Sequence, residues 1–160
     1  MNVLSQPGKK DKVLDPFCGS GTILTERQLL KPCICVGVDI DPRALRCAEK
    51  NVRAAGVEVE LRRGDITTKK FPEGYFTKII SNLPYGIHSG SRGKNIRLYQ
   101  FMADKMVNWL RVSGSAIFVT NAKALLRNTF SHNPSWELVS ETPLQISGLN
   151  LSVFIFRRLR

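Results

Sequence analysis

No apolar run in the chain approaches the ~18 residues that a membrane-spanning helix needs. The opening segment MNVLSQPGKKDK is polar and has nothing like the apolar stretch of a secretion signal. The expected location is the cytoplasm, with the nucleus as the alternative, and no membrane partner is expected. Among Cys18, Cys33, Cys35 and Cys47 no two are separated by two residues, the spacing that marks many zinc sites, so no metal is expected. Cys33 and Cys35 lie two apart in CICVGVDI, where strand alternation would put both on one face. All four are expected as buried, reduced thiols. Repeats and low-complexity tracts are missing as well. Acidic residues are scarce: 13 Asp plus Glu against 24 Lys plus Arg leave a formal charge of +11 on 160 residues. That excess favours a polyanionic partner, with nucleic acid ahead of a membrane surface. The length suits one domain with a core of its own over residues 1–160, with 1–11 as a flexible lead-in.

Strand and helix signals alternate along the chain. KVLDPF (12–17) reads as a strand and TILTERQLLK (22–31) as a helix that Pro32 stops. ICVGVDI (34–40) is nearly continuous in apolar residues, the mark of a central strand covered on both faces. Asp41 and Pro42 open a second helix, PRALRCAEKNVRAAG, with Ala44, Leu45, Ala48 and Val52 on its inner face and Gly56 as its stop. VEVELRRGD (57–65) is a third strand, and a fourth ends at Asn82. After the polar loop IHSGSRGKN a helix is expected from Ile96 to Val112, with Trp109 among its core residues, then a strand at 115–121 that buries Phe118. A weaker helix (124–132) follows, and WELVSETPLQ and LNLSVFIFRRL form two last strands joined by a turn at Ser147 and Gly148. Such alternation implies an α/β fold: an open, mostly parallel sheet wound on both sides by right-handed crossovers. Ligands of such sheets bind beyond the carboxyl ends of the strands. DPFCGSGT, Asp39, Asp65 and Asn82 all fall on that rim.

Two glycines within three positions, Gly19 and Gly21, let the turn after the first strand tighten and let a ligand rest on the backbone beside the amino terminus of a helix. Asp39 follows Gly19 by 20 residues, the separation expected of a carboxylate that accepts ribose hydroxyls. A dinucleotide site wants a further small residue three after the second glycine, but Leu24 stands there and would crowd helix against sheet. The loop therefore favours S-adenosylmethionine. Asp65, in RRGDI, is placed to accept from an adenine amino group, and a helix cap would place it equally well.

NLPYG (82–86) bears on the chemistry. Proline restricts the residue before it and has no amide, so carbonyls of this turn can face a cleft. The carboxamide oxygen of Asn82 and a neighbouring carbonyl could each accept one hydrogen of a planar exocyclic amine, and Tyr85 could stack on its ring. An activated methyl carries its own leaving group, so alignment of donor and acceptor suffices without a strong base.

DPFCGSGT, GVDID and NLPYG together resemble the class I S-adenosylmethionine-dependent methyltransferases that modify exocyclic amino groups. The similarity is greatest to the catalytic domain of the THUMP-containing RNA guanine 2-amino methyltransferases, and it covers essentially the whole chain, through GVDIDPRALRCAEKNVRAAGV and NLPYGIHSGSRGKNIRLYQFM. The resemblance implies a Rossmann-like methyltransferase fold, a doubly wound seven-stranded sheet of order 3-2-1-4-5-7-6 with the last strand antiparallel. It implies cofactor contacts from Asp15, Cys18, Gly19, Gly21, Thr22, Asp39 and Asp65, and places Asn82, Pro84 and Tyr85 at the target amine. The implied reaction is methyl transfer to guanine in structured RNA, with tRNA the expected substrate. Adenine or a protein glutamine amide is the alternative acceptor, and an inactive cofactor-binding scaffold the alternative role. Leu83 replaces the first proline of many amino methyltransferases, a form also found among the tRNA guanine enzymes. In that family a THUMP region precedes the first strand, where this chain has about a dozen residues. A THUMP-bearing segment or a small activating subunit is therefore an expected partner beside RNA.

Arg92, Lys94 and Arg97 follow the NLPYG loop and could hold phosphates flanking a flipped nucleotide. Arg62, Arg63, Lys69 and Lys70 read as a solvated face. His88 and Ser89 read as loop residues and His132 as a surface residue.

Overall fold

The computed structural model describes residues 1–84, 91–146 and 148–160, and the side chains of all of these but residues 91, 92 and 94. Its strands are β1 (Lys12–Asp15), β2 (Ile34–Asp39), β3 (Glu60–Arg63), β4 (Phe76–Asn82), β5 (Leu110–Thr120), β6 (Trp136–Ile146) and β7 (Leu149–Arg158). They form one sheet in the order β3-β2-β1-β4-β5-β7-β6. The first five are parallel to one another, and β7 runs antiparallel to both β5 and β6. The order is the expected one. β2 is buried along most of its length, but it lies next to the edge strand β3, and the centre of the sheet is β4.

The helices are α1 (Thr22–Leu30), α2 (Pro42–Ala54), α3 (Ser91–Phe101), α4 (Val107–Trp109) and α5 (Lys123–Ser131), and a π-helical turn, Met102–Met106, joins α3 to α4. α2 starts as its sequence demands: the Asp41 side chain accepts from the Arg43 amide, and Pro42 takes a first-turn position where a missing amide costs nothing. Strand alternation feeds two cores. Ile79 and Phe118 join Tyr99, Met106, Trp109, Phe130 and Phe156 on one face of the sheet. Ile80, Ile117 and Val119 pack with Leu24 and Leu45 on the other.

Several boundaries depart from the sequence pattern, each for a local reason. The helix expected over 96–112 starts at Ser91 and the helical run closes at Trp109, because Leu110 already pairs with Phe76. The next paired residues are Lys78 and Ser115, so Arg111–Gly114 bulges out of β5, with Ser113 at φ 63°. β1 stops at Asp15: Pro16 has no amide to pair, and the Phe17 amide turns back to Asp15 Oδ1. β3 is shorter than 57–65 because the Val57 amide is still held by Val52 O of α2. Of the turn expected at Ser147 and Gly148, Ser147 lies outside the described residues and Gly148 has φ 78°. The four cysteines are free, but only Cys18 and Cys35 are buried. Cys33 is half-buried with its Sγ 3.6 Å from that of Cys35, and Cys47 is exposed because the buried stripe of α2 runs through Leu45 and Ala48.

The first eleven residues, expected as a flexible lead-in, are docked. Val3–Ser5 forms a 3-10 turn, and Asn2 Nδ2 donates to Ile23 O at 2.8 Å. Asp11 Oδ2 accepts from the Gly8 amide and from Arg27 Nη2, each at 2.8 Å, and the Arg27 side chain is fully buried. Burial alone would raise the Asp11 carboxyl, yet the Gly8 amide, Arg27, Lys78 and Thr77 together hold it below the ordinary carboxylate value. Removing one partner of a buried pair strands the other charge. Asp11→Ala should therefore lower the unfolding free energy by ~3–5 kcal/mol in urea titrations; an unshifted midpoint would show that Arg27 does not depend on Asp11.

Candidate active site

One cavity of about 610 Å³ opens over the carboxyl ends of the parallel strands, where ligands of such sheets bind. Of the residues singled out from the sequence, Asp39, Asp65, Asn82, Pro84 and Arg97 line it. Asp15, Cys18, Gly19, Gly21 and Thr22 build the loop beside it without lining it. Tyr85, His88 and Ser89, and the side chains of Arg92 and Lys94, lie outside the described residues. Arg62, Arg63 and Lys69 are engaged locally: Arg62 pairs with Glu60 and covers the Phe71 ring, and Lys69 Nζ donates to Arg63 O. His132 is exposed and contacts Asn128 O of α5, just beyond the end of that helix.

The two loop glycines do different work. Gly19, at φ 52°, has open space where a side chain would stand, and its amide donates to Asp39 Oδ2 at 2.8 Å. Gly21, at φ 74°, faces the protein: a Cβ there would lie 3.0 Å from that of Ala48. The close approach at Gly21 is thus between α1 and α2, and of the two glycines it is Gly19 whose Cβ position is open. Thr22 opens α1 and is exposed, with Oγ1 3.0 Å from Ser20 Oγ. Gly37 was legible only as a glycine inside an apolar strand. A Cβ at Gly37 would come within 2.9 Å of both Cys18 Sγ and Leu24 Cδ1. Leu24 fills the space between α1 and β2, as its bulk implied.

Asp15, one of the expected cofactor residues, is fully buried at the start of the loop. Its Oδ1 accepts from Ser81 Oγ at 2.5 Å and from the Phe17 amide at 3.1 Å, and Oδ2 has no partner among the described residues. Burial pushes this carboxyl up to about 7 against the pull of Ser81 and Phe17, and the charge of Asp39 adds to the rise. Burial, with Asp15 and Asp39 nearby, also pushes the Cys18 thiol upward and keeps it neutral.

Asp39 accepts from the Gly19 amide on one oxygen and the Asp41 amide on the other, leaving each a further lone pair for a ligand in the cavity. Asp65 Oδ1 caps the turn Ile66–Thr68 through the Thr67 amide and hydroxyl, and the residue lines the cavity. Asn82 ends β4 opposite Val119 of β5. Leu83, buried, donates its amide to Val119 O at 2.9 Å, which anchors the turn in the core. Pro84 O accepts from the Tyr99 hydroxyl at 3.3 Å. The apolar lining of Phe17, Ile40, Ile66 and Leu98 escaped the sequence reading. The one available signal was adjacency, since Ile40 follows Asp39 and Ile66 follows Asp65.

The sheet order, the antiparallel β7 and a cavity between β2 and β4 at the carboxyl rim define the class: a Rossmann-like methyltransferase fold. Within that class the chain belongs to the family described as RMKL-like, methyltransferase domain, whose model matches residues 1–152. It is 25% identical to the tRNA (guanine(6)-N(2))-methyltransferase THUMP3 of Bos taurus over 97% of this chain. It is 36% identical to the U6 snRNA (guanine-N(2))-methyltransferase THUMPD2 of Bos taurus over 67% of this chain. It spans 34% and 21% of the lengths of those two relatives. The crystal structure of TrmN from Thermus thermophilus matches with a TM-score of 0.87 and 25% identity, over 98% of this chain and 46% of that one.

The Asp15 geometry sets a pH dependence. Between about pH 4 and pH 7 native Asp15 keeps a proton that the unfolded chain has released, so its contribution makes stability fall as pH rises through that window. Asp15→Asn cannot titrate. The stability difference, variant minus wild type, should rise with pH across the window in thermal or urea unfolding; parallel curves would mean that Asp15 is ionised throughout.

Proposed function

We propose that the chain is the catalytic part of an S-adenosylmethionine-dependent methyltransferase that modifies the exocyclic 2-amino group of guanine in RNA, with tRNA as the expected substrate. The observation that carries this reading is the convergence of Asn82, Pro84, Asp39 and Asp65 on one cavity. Membership of a methyltransferase family, the guanine N2 specificities in the names of the relatives and the charge of +11 support it.

The residues present suit the cofactor. Asp39 retains acceptor capacity for the ribose hydroxyls, Asp65 stands where it could take the adenine amino group, and Phe17, Ile40, Ile66 and Leu98 offer apolar walls to a flat ring. Asp15, Cys18, Gly21 and Thr22 would act by shaping the loop whose open side is Gly19. When bound, the cofactor supplies a methyl group on a sulfonium leaving group. The task left to the chain is to hold the amine in line and to draw its lone pair out of conjugation. Asn82 would accept one amine hydrogen through its carboxamide oxygen. A neighbouring carbonyl of the same turn would accept the other; that of Pro84, on the cavity wall, already takes one hydrogen bond from Tyr99 and keeps a second lone pair. Tyr85 would stack on the base, and Arg97, with Arg92 and Lys94 of the same helix, would hold flanking phosphates. Firm RNA affinity is assigned to a THUMP-bearing segment or a partner subunit; the chain spans 34% and 21% of the lengths of its two THUMP-named relatives.

Incubation with total tRNA and methyl-labelled cofactor, followed by digestion to nucleosides, tests the reading. Label should appear in 2-methylguanosine, weakly for the chain alone and strongly once a THUMP region is supplied. Asn82→Ala should cut turnover by about two powers of ten while cofactor affinity stays within a few fold. Label in adenosine or in protein would redirect the assignment, and full activity of Asn82→Ala would end the mechanism.

A further inference from the structure

We propose that Tyr99 is a positioning residue that fixes the Pro84 carbonyl, and with it the rim from Asn82 to Pro84, through a one-directional chain of hydrogen bonds starting at the Ala122 amide. Tyr99 and Thr120 are both fully buried, so water cannot stand in for a lost partner. The Tyr99 hydroxyl lies 2.9 Å from Thr120 Oγ1 and 3.3 Å from Pro84 O. Thr120 Oγ1 also accepts from the Ala122 amide at 3.0 Å.

Counting protons fixes the direction. Each hydroxyl has one proton to donate. Were Tyr99 to donate to Thr120, the Pro84 carbonyl would face an oxygen without a hydrogen between them, and the Thr120 proton would have to seek another acceptor. With Ala122 donating to Thr120, Thr120 to Tyr99 and Tyr99 to Pro84, every group is satisfied and each bond polarises the next. Burial raises the Tyr99 phenol above its usual value, so the hydroxyl keeps its proton. Tyr99 follows Arg97 and Leu98, which line the cavity from α3. The phenol thereby joins that wall to the ends of β4 and β5.

The role rests on the methyl-transfer reading, and two readouts keep the two apart. Tyr99→Phe retains the ring and loses only the hydroxyl. In the full protein it should lower kcat about tenfold or more, with KM for RNA and cofactor affinity within a few fold. Thr120→Val should do the same, Thr120→Ser should keep activity, and the double variant Tyr99→Phe, Thr120→Val should be little worse than either single one. Independently of activity, the Leu83 amide should exchange with deuterium faster in Tyr99→Phe, while the amides of Val36 and Val38 in β2 keep their protection. If the wild-type protein methylates no RNA, the methyl-transfer reading fails and the exchange measurement still decides the role of Tyr99. Unchanged Leu83 exchange would overturn the proposal. So would unchanged kcat in Tyr99→Phe beside an active wild type, or an equal loss of protection throughout the sheet.

Discussion

The hydrogen bond from the Gly19 amide to the Asp39 carboxylate is the contact on which the cavity depends. It ties the loop after β1 to the end of β2, and the neighbouring bond from Cys18 N to Val38 O holds the same two segments one step deeper. Neither could form if the strands and helices behind them stood further apart. Gly37 lets Cys18 and Leu24 press onto β2, and Gly21 lets α1 approach Ala48 of α2. A half-buried bond is thus set by three close approaches beneath it, each relying on a missing or small side chain.

The opposite wall is built by other means. There the backbone at Leu83 is pinned to β5, the Leu83 side chain is in the core, and the Pro84 carbonyl meets a buried phenol. One wall is held by backbone amides meeting a carboxylate, the other by apolar burial and neutral hydroxyls. The cavity between them opens at the end of a parallel sheet whose two cores fix the positions of both walls.

Much of this was legible in the residues. Alternation of apolar strands with amphipathic helices gives the parallel sheet, and the positions of Asp39, Asp65 and Asn82 at strand ends place them on one rim. The complete strand order needed the family resemblance, because pairing partners are not written in local periodicity. What stayed hidden were features set by tertiary contact. The bulge at Arg111–Gly114 depends on where β4 pairs. The burial of Asp15 depends on Ser81, 66 residues away. Gly21 and Gly19 look alike in DPFCGSGT and differ only in what lies behind them. Tyr99 looks like one more apolar position of α3 until Thr120 and Pro84 are brought to its hydroxyl.

β7 is the last strand in the chain, yet it lies between β5 and β6, which have no other link in the sheet. During synthesis β5 therefore waits as an open edge, and β6 has no partner in the sheet until residues 149–158 have left the ribosome. Those same residues bring Phe154 and Phe156 into the larger core. Within these residues the free edge of β5 and the whole of β6 are thus paired only by β7. A nascent chain stalled shortly before β7 emerges carries an unpaired strand and an exposed aromatic surface, the state a cell's quality control is built to detect.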